Sequence, residues 1–225
     1  MTNYVSLQDK AYGFLKQKIE RGDFAPDTFY SEAKVASEIG MSRTPMKDAL
    51  TRLSQEKYID IIPSKGFCLH VLSDKDIQDT YQARTAIEGF CAIHLHSQRD
   101  TAEGRKCLFT LKQCMDGMQF ALDNGEGIAA FFEQDLRFHE ALVGFPGNEE
   151  LLGLFNSYVH WLSDIALESL RQTERPKQAI AEHRRIFDLI NSDSDAAVKD
   201  IYTAVMHHME MPRDIVLNLL DKRKK

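Results

Sequence analysis

Apolar residues recur at helical spacing along most of the chain. Between Leu7 and Arg21, Ala11, Phe14, Leu15 and Ile19 share one stripe, and Gly22 ends the run. After the turn "APDTFY", Ser31 is placed to cap a short helix that reaches Ile39 and stops at Gly40. Ser42 opens a third, "SRTPMKDALTRLSQE", where Pro45 is tolerated because it falls in the first turn. The period then changes. "YIDII" and "FCLHV" are short β-rich runs joined by "PSKG", which predicts a hairpin. Three helices and a hairpin outline a winged helix-turn-helix over residues 1–72.

Beyond Val71 strand signals disappear. Ser73 to Asp76 has the form of a capping box. Helices are predicted at 74–97, 100–123, 126–143, 148–171, 176–191 and 195–219, broken by "DNGEG", "GFPGN", "TERP" and "NSDSD". The fold expected is mostly α: a winged helix-turn-helix, three helices plus a β-hairpin wing, followed over 73–225 by an all-α antiparallel bundle of about six helices.

Composition adds a division. Residues 1–72 carry 10 Lys+Arg against 9 Asp+Glu, a net charge of +1, whereas the remainder carries −7. No basic segment leads into an apolar run at the N-terminus, and no apolar stretch approaches membrane-spanning length. A cytoplasmic protein without a membrane partner is expected. Cys68, Cys91, Cys107 and Cys114 form no CxxC pair and are expected as reduced core thiols.

The bundle half has polar residues where greasy ones belong. In "DLRFHEAL", Asp135 and His139 lie one turn apart on the face that carries Ile128, Phe132, Leu142 and Val143. His183 shares a stripe with Ile180, Phe187 and Ile190, and His208 with Val198, Ile201 and Val205. One inward histidine is ordinarily a satisfied core residue. Three on separate helices beside a carboxylate suit a divalent ion of the Zn, Ni or Mn class, which would also give buried Asp135 its partner. His94, His96, His160 and Trp161 are expected at the surface or in packing.

The third helix presents Arg43, Thr44, Lys47 and Thr51 on its outer face near the N-terminus, where donors reach base edges and phosphates. Lys65 and Gly66 at the hairpin turn suit a wing tip: a cation for phosphate, and no side chain to block close approach. The stretch from Gly22 to Val71 resembles the DNA-binding domain of the GntR family of bacterial transcription regulators. Its hallmark appears as Gly40 to Leu50, and its wing signature as Pro63-Ser64-Lys65-Gly66. Pro26-Asp27, Ala33 and Lys47 depart from the pattern, and Lys47 keeps a phosphate contact but lacks the bidentate guanine recognition of arginine. "YQARTAIEGFCAIHL", "DLRFHEAL" and "EHRRIFDLI" resemble elements of the all-helical effector domain of the FadR subfamily, the FCD domain.

That resemblance implies a ligand-responsive transcription regulator, acting as a homodimer on a palindromic double-stranded operator. It implies a metal held by Asp135, His139, His183 and His208, with His207 adjacent to the last of these and His208 favoured by its place on the Ile201–Val205 stripe. It also implies a small carboxylate effector, which Arg84 is placed to clamp unless it pairs with Glu88 one turn on. The rival is a metal-dependent all-α hydrolase. It is weakened by the absence of an HExxH motif and of a His-Asp dipeptide.

Overall fold

The computed structural model describes residues 6–193 and 197–223, with the backbone alone at 160–162, 164, 165, 197, 222 and 223. The expectations for His160 and Trp161 therefore fall on side chains outside the described residues. The chain divides into two compact units, Met1–Leu72 and Ser73–Lys225.

The first unit contains α1 (Leu7–Glu20), α2 (Glu32–Glu38), α3 (Arg43–Gln55), β1 (Ile59–Ile62) and β2 (Gly66–Leu69). Ser6 caps α1 by accepting from the Asp9 amide. Ser31 and Ser42 take the extended N-cap conformation, but neither side chain caps its helix. Gly22 and Gly40 end their helices with positive φ, as the breakers require. Ala11, Leu15, Val35, Met46, Leu50, Leu53, Ile59 and Phe67 make a core of its own.

The wing is an antiparallel hairpin in which Ile59 faces Leu69 and Ile62 faces Gly66. Its second strand is also held from the other side. The Tyr30 amide donates to the Phe67 carbonyl at 2.7 Å and the Phe67 amide donates back to the Tyr30 carbonyl at 3.0 Å. Gly66 has φ +102°, and a Cβ there would lie 2.1 Å from the Tyr30 carbonyl oxygen. The glycine read from sequence as a wing-tip feature is thus demanded first by this internal strand contact. Cys68 lies on this hairpin, half-buried, and is not a core thiol as the sequence suggested.

Among the described residues the second unit has six helices: α4 (Asp74–Ser97), α5 (Ala102–Asp123), α6 (Ile128–Gly144), α7 (Glu149–Leu170), α8 (Arg175–Ile190) and α9 (Ala197–Arg223). Ser73 and Asp76 complete a capping box on α4, Thr101 caps α5, and Asn148 caps α7 through two backbone amides. Their apolar faces close one core that includes Leu95, Leu111, Met118, Phe131, Phe138, Phe155, Ile186 and Ile201. α5 packs along α6, and α9 along α4 and α8. At Gly89 a Cβ would meet the Tyr202 ring at 2.8 Å, so the glycine sets how closely α9 approaches α4. His96 is buried and bonds the Ile190 carbonyl through Nδ1, a packing role. Val198, expected on the inward stripe of α9, is 42% exposed. It lies in the helix's first turn, while Ile201, Val205 and His208 face inward. No helix among the described residues is long and apolar enough to cross a membrane.

Gly66→Ala should force either the hairpin or the Tyr30 strand to shift, destabilising the first unit by about 1–3 kcal/mol. Differential scanning calorimetry of the full chain should show a lowered transition for that unit and an unchanged one for the bundle. Unaltered melting of both would contradict this account of the wing.

Candidate metal centre

α6 presents Asp135 and His139 one turn apart, α8 presents His183, and α9 presents His208. The three imidazoles are almost wholly buried. Nε2 of His139 stands 3.3 Å from Nε2 of His183 and 3.3 Å from Nε2 of His208. His207, next in sequence, is exposed.

Hydrogen bonds on the far side of each ring decide which nitrogen carries the proton. Nδ1 of His139 faces Glu88 Oε2 at 2.5 Å, Nδ1 of His183 faces the Ala179 carbonyl at 2.7 Å, and Nδ1 of His208 faces Glu182 Oε2 at 2.7 Å. Each of these partners accepts, so each Nδ1–H donates. The neutral ring then holds a bare lone pair at Nε2. Three lone pairs converge with no proton between them, which is repulsive unless a cation sits at the focus. Two ligands on one tetrahedral zinc, each about 2.05 Å from it, stand about 3.3 Å apart, the separation seen here.

Asp135 borders the same point. Its carboxylate oxygens lie 3.9 Å from His139 Nε2 and 3.6 Å from His183 Nε2, too far for hydrogen bonds, so the three histidines form the tight group and Asp135 stands at its edge. Three nitrogens and an oxygen are a donor set that Zn²⁺ and similar borderline ions accept.

A second tier holds the ligands in place. Arg84 Nε and Nη2 donate to Glu88 Oε1 at 2.8 and 2.7 Å. Arg175 Nη1 and Nη2 grip Glu182 at 2.9 Å each. Two parallel chains result, Arg84–Glu88–His139 and Arg175–Glu182–His208, each orienting an imidazole through a clamped carboxylate. Burial pushes the Glu88 carboxyl up, but Arg84 and His139 outweigh it and hold it at about 2. Burial likewise raises Asp135, opposed by His139, Arg84 and Arg175. Burial, reinforced by the neighbouring imidazoles, drives His183 and His208 well below the ordinary histidine value.

The cluster opens onto two small cavities of about 30 and 20 Å³, both bordered by Arg84, Asp135 and His139. Sequence reasoning placed Arg84 here as a clamp for the effector's carboxylate, with an ion pair to Glu88 as the alternative, and the guanidinium does pair with Glu88. It missed Glu182 and Arg175. Their signal was a spacing of seven, two turns of α8 on one face, directly before the His183 stripe.

On the other unit, Arg43, Thr44, Lys47 and Thr51 are exposed along α3, with Thr51 Oγ1 bonded back to the Lys47 carbonyl at 2.9 Å. Lys65 is exposed at the wing tip, its ammonium 5.1 Å from the Phe29 ring centre.

This pairing of a winged helix-turn-helix with a six-helix bundle defines a class of bacterial regulator, and comparison with known proteins agrees. Residues 7–69 match the gntR family of bacterial regulatory proteins, and residues 79–210 match the FCD domain. The Nta operon transcriptional regulator of Aminobacter aminovorans is 30% identical over 202 residues, covering 80% of this chain and 92% of its own length. YdhC of Bacillus subtilis, an HTH-type transcriptional regulator, is 25% identical over 197 residues, covering 88% and 86%. Among solved structures, a GntR transcriptional regulator from Rhodococcus sp. RHA1 superposes with a TM-score of 0.64 at 16% identity, over 95% of this chain and 99% of that one. The McbR/YncC protein of E. coli gives 0.63 at 17% identity, over 96% and 99%. The chain belongs to the GntR family, in the branch that carries an FCD domain. It is a DNA-binding transcription regulator, and its relatives are regulators rather than enzymes.

Metal-free protein should lose stability on acidification. Unfolded imidazoles protonate near pH 6.5, whereas folded His183 and His208 resist protonation. Their contribution is complete above about pH 6.5 and declines as the pH falls below it, because only the unfolded chain then takes up protons. Melting of chelator-treated protein should show a level Tm from pH 8 to 7 and a falling one from 6.5 to 5. A level Tm down to pH 5 would refute the neutral imidazole cluster.

Proposed function

We propose that this regulator is ligand-responsive, binding a palindromic operator as a homodimer and carrying a divalent ion in its bundle. Asp135, His139, His183 and His208 would hold the ion, and a small carboxylate would serve as effector. The observation that carries the reading is the convergence of three Nε2 lone pairs, that of His139 3.3 Å from each of the other two, while every Nδ1 is engaged elsewhere. Bound there, the ion supplies a Lewis-acidic centre with positions left for an oxygen ligand. Glu88 and Glu182 keep the imidazoles aimed. Arg84 borders both cavities and contributes positive charge to an incoming carboxylate.

DNA recognition is assigned to α3 and the wing. Arg43, Thr44, Lys47 and Thr51 offer donors to bases and phosphates, Lys65 contacts phosphate, and Gly66 keeps the wing tip slim. A unit with net charge +1 has little sequence-independent attraction to DNA, which favours two units acting together. Two-fold pairing in turn matches a palindrome.

Elemental analysis of protein never exposed to chelator should find about one divalent ion per chain. His139→Ala should remove most of it, and Glu88→Gln should weaken retention about 10–100-fold while leaving the ligand set complete. Wild-type protein free of metal at neutral pH would overturn the metal reading. For DNA, Arg43→Ala should cost about 1–3 kcal/mol and relax sequence preference, whereas Lys65→Ala should weaken all sequences alike and lower the salt slope by about one. Equal affinity for a half-site and a full operator would rule out the paired mode.

A further inference from the structure

The cavity beside the imidazoles has a second polar feature, on the walls contributed by α7 and α8. Ser169, 1% exposed, lines it, and its Oγ has no hydrogen-bond partner among the described residues. A helical serine in apolar surroundings ordinarily bonds back to the carbonyl four residues earlier, and this one does not. Arg175, 2% exposed, lines the same cavity. Both its Nη atoms are committed to Glu182, and its Nε has no partner. Two orphaned buried groups on one small cavity are costly, and native interiors keep such groups where a ligand or water completes them.

We infer that Ser169 and Arg175 read a second oxygen on the effector, so that the ligand is a compact carboxylic acid bearing a hydroxyl or similar oxygen. This rests on the carboxylate reading given above. Arg175 Nε only donates, and Ser169 Oγ both donates and accepts. An oxygen with lone pairs is therefore the group that completes either of them, and a methyl or methylene leaves either unsatisfied. The cavity is small, and Leu170, Met209 and Pro212 as apolar neighbours restrict the acid to a few carbons. Ser169 is then the specificity-determining residue: it separates an oxygenated acid from its plain analogue, where the charge of Arg84 treats both alike.

The test is isothermal titration of zinc-loaded full-length protein with two matched pairs, lactate against propionate and 3-hydroxybutyrate against butyrate. In at least one pair the hydroxylated member should bind about tenfold or more tightly. Ser169→Ala should abolish that preference while retaining zinc, leaving affinity for the plain acid unchanged. Because the substitution removes an orphaned hydroxyl, Tm of the ligand-free variant should be unchanged or higher. A preference that survives Ser169→Ala belongs to chelation by the metal and overturns the inference. Equal binding within both pairs, or no binding of any of the four, overturns it as well. Failure of the wild type to take up zinc would instead overturn the metal reading beneath it.

Discussion

Three lone pairs pointed at one place inside a helical bundle cannot be left to themselves. Nε2 of His139 stands 3.3 Å from Nε2 of His183 and from Nε2 of His208, and all three rings are buried. Each far nitrogen donates to an oxygen acceptor, so each neutral ring turns its Nε2 lone pair to the focus. A cation at the focus would convert the repulsion to coordination. Much of the bundle's polar interior follows from that need: Glu88 and Glu182 fix the rings, and Arg84 and Arg175 balance those carboxylates. Buried ion pairs seldom add much net stability over well-packed apolar residues, so their presence here is better explained by orientation.

The first unit solves a smaller problem by other means. Its hairpin is short and would be marginal alone. Tyr30 gives the wing a further strand contact, and Phe24, Tyr30 and Phe67 pack their rings edge-on or tilted over it, with centroids 4.6–5.8 Å apart. The cost is a backbone approach so close at Gly66 that no other residue fits without movement. α3, meanwhile, buries Met46, Leu50 and Leu53 inward and leaves its cationic face free. Reading DNA and holding the unit together thus fall to opposite sides of one helix.

Ser169 and Arg175 illustrate a general asymmetry in buried polar groups. Where a group is structural, its partners come with the fold, as with His96 and the Ile190 carbonyl. Where partners are withheld on a cavity wall, the fold has borne a desolvation cost that packing does not return. Such sites mark the places where a ligand finishes the hydrogen bonding.

By itself the sequence determined every element that depends on near neighbours. The 3.6-residue stripes of α1 and α4 to α9, the alternation of the wing, the capping box at Ser73 and the breakers at Gly22 and Gly40 are all local, set by residues within a turn or two. Asp135 and His139 were legible as a pair for the same reason, because one turn of one helix joins them. Placing His208 rather than His207 inward also followed from register alone. What only the tertiary structure decided is everything that crosses between helices. Glu88 on α4 and His139 on α6 are 51 residues apart, and no periodicity says that a carboxylate will meet an imidazole's Nδ1. Ser169 looks in sequence like any polar residue near a helix end. Only packing of α7, α8 and α9 around one cavity strips it of partners. Local patterns are read from spacing, whereas proton positions, clamped carboxylates and orphaned hydroxyls arise from distances that exist only after the bundle has closed.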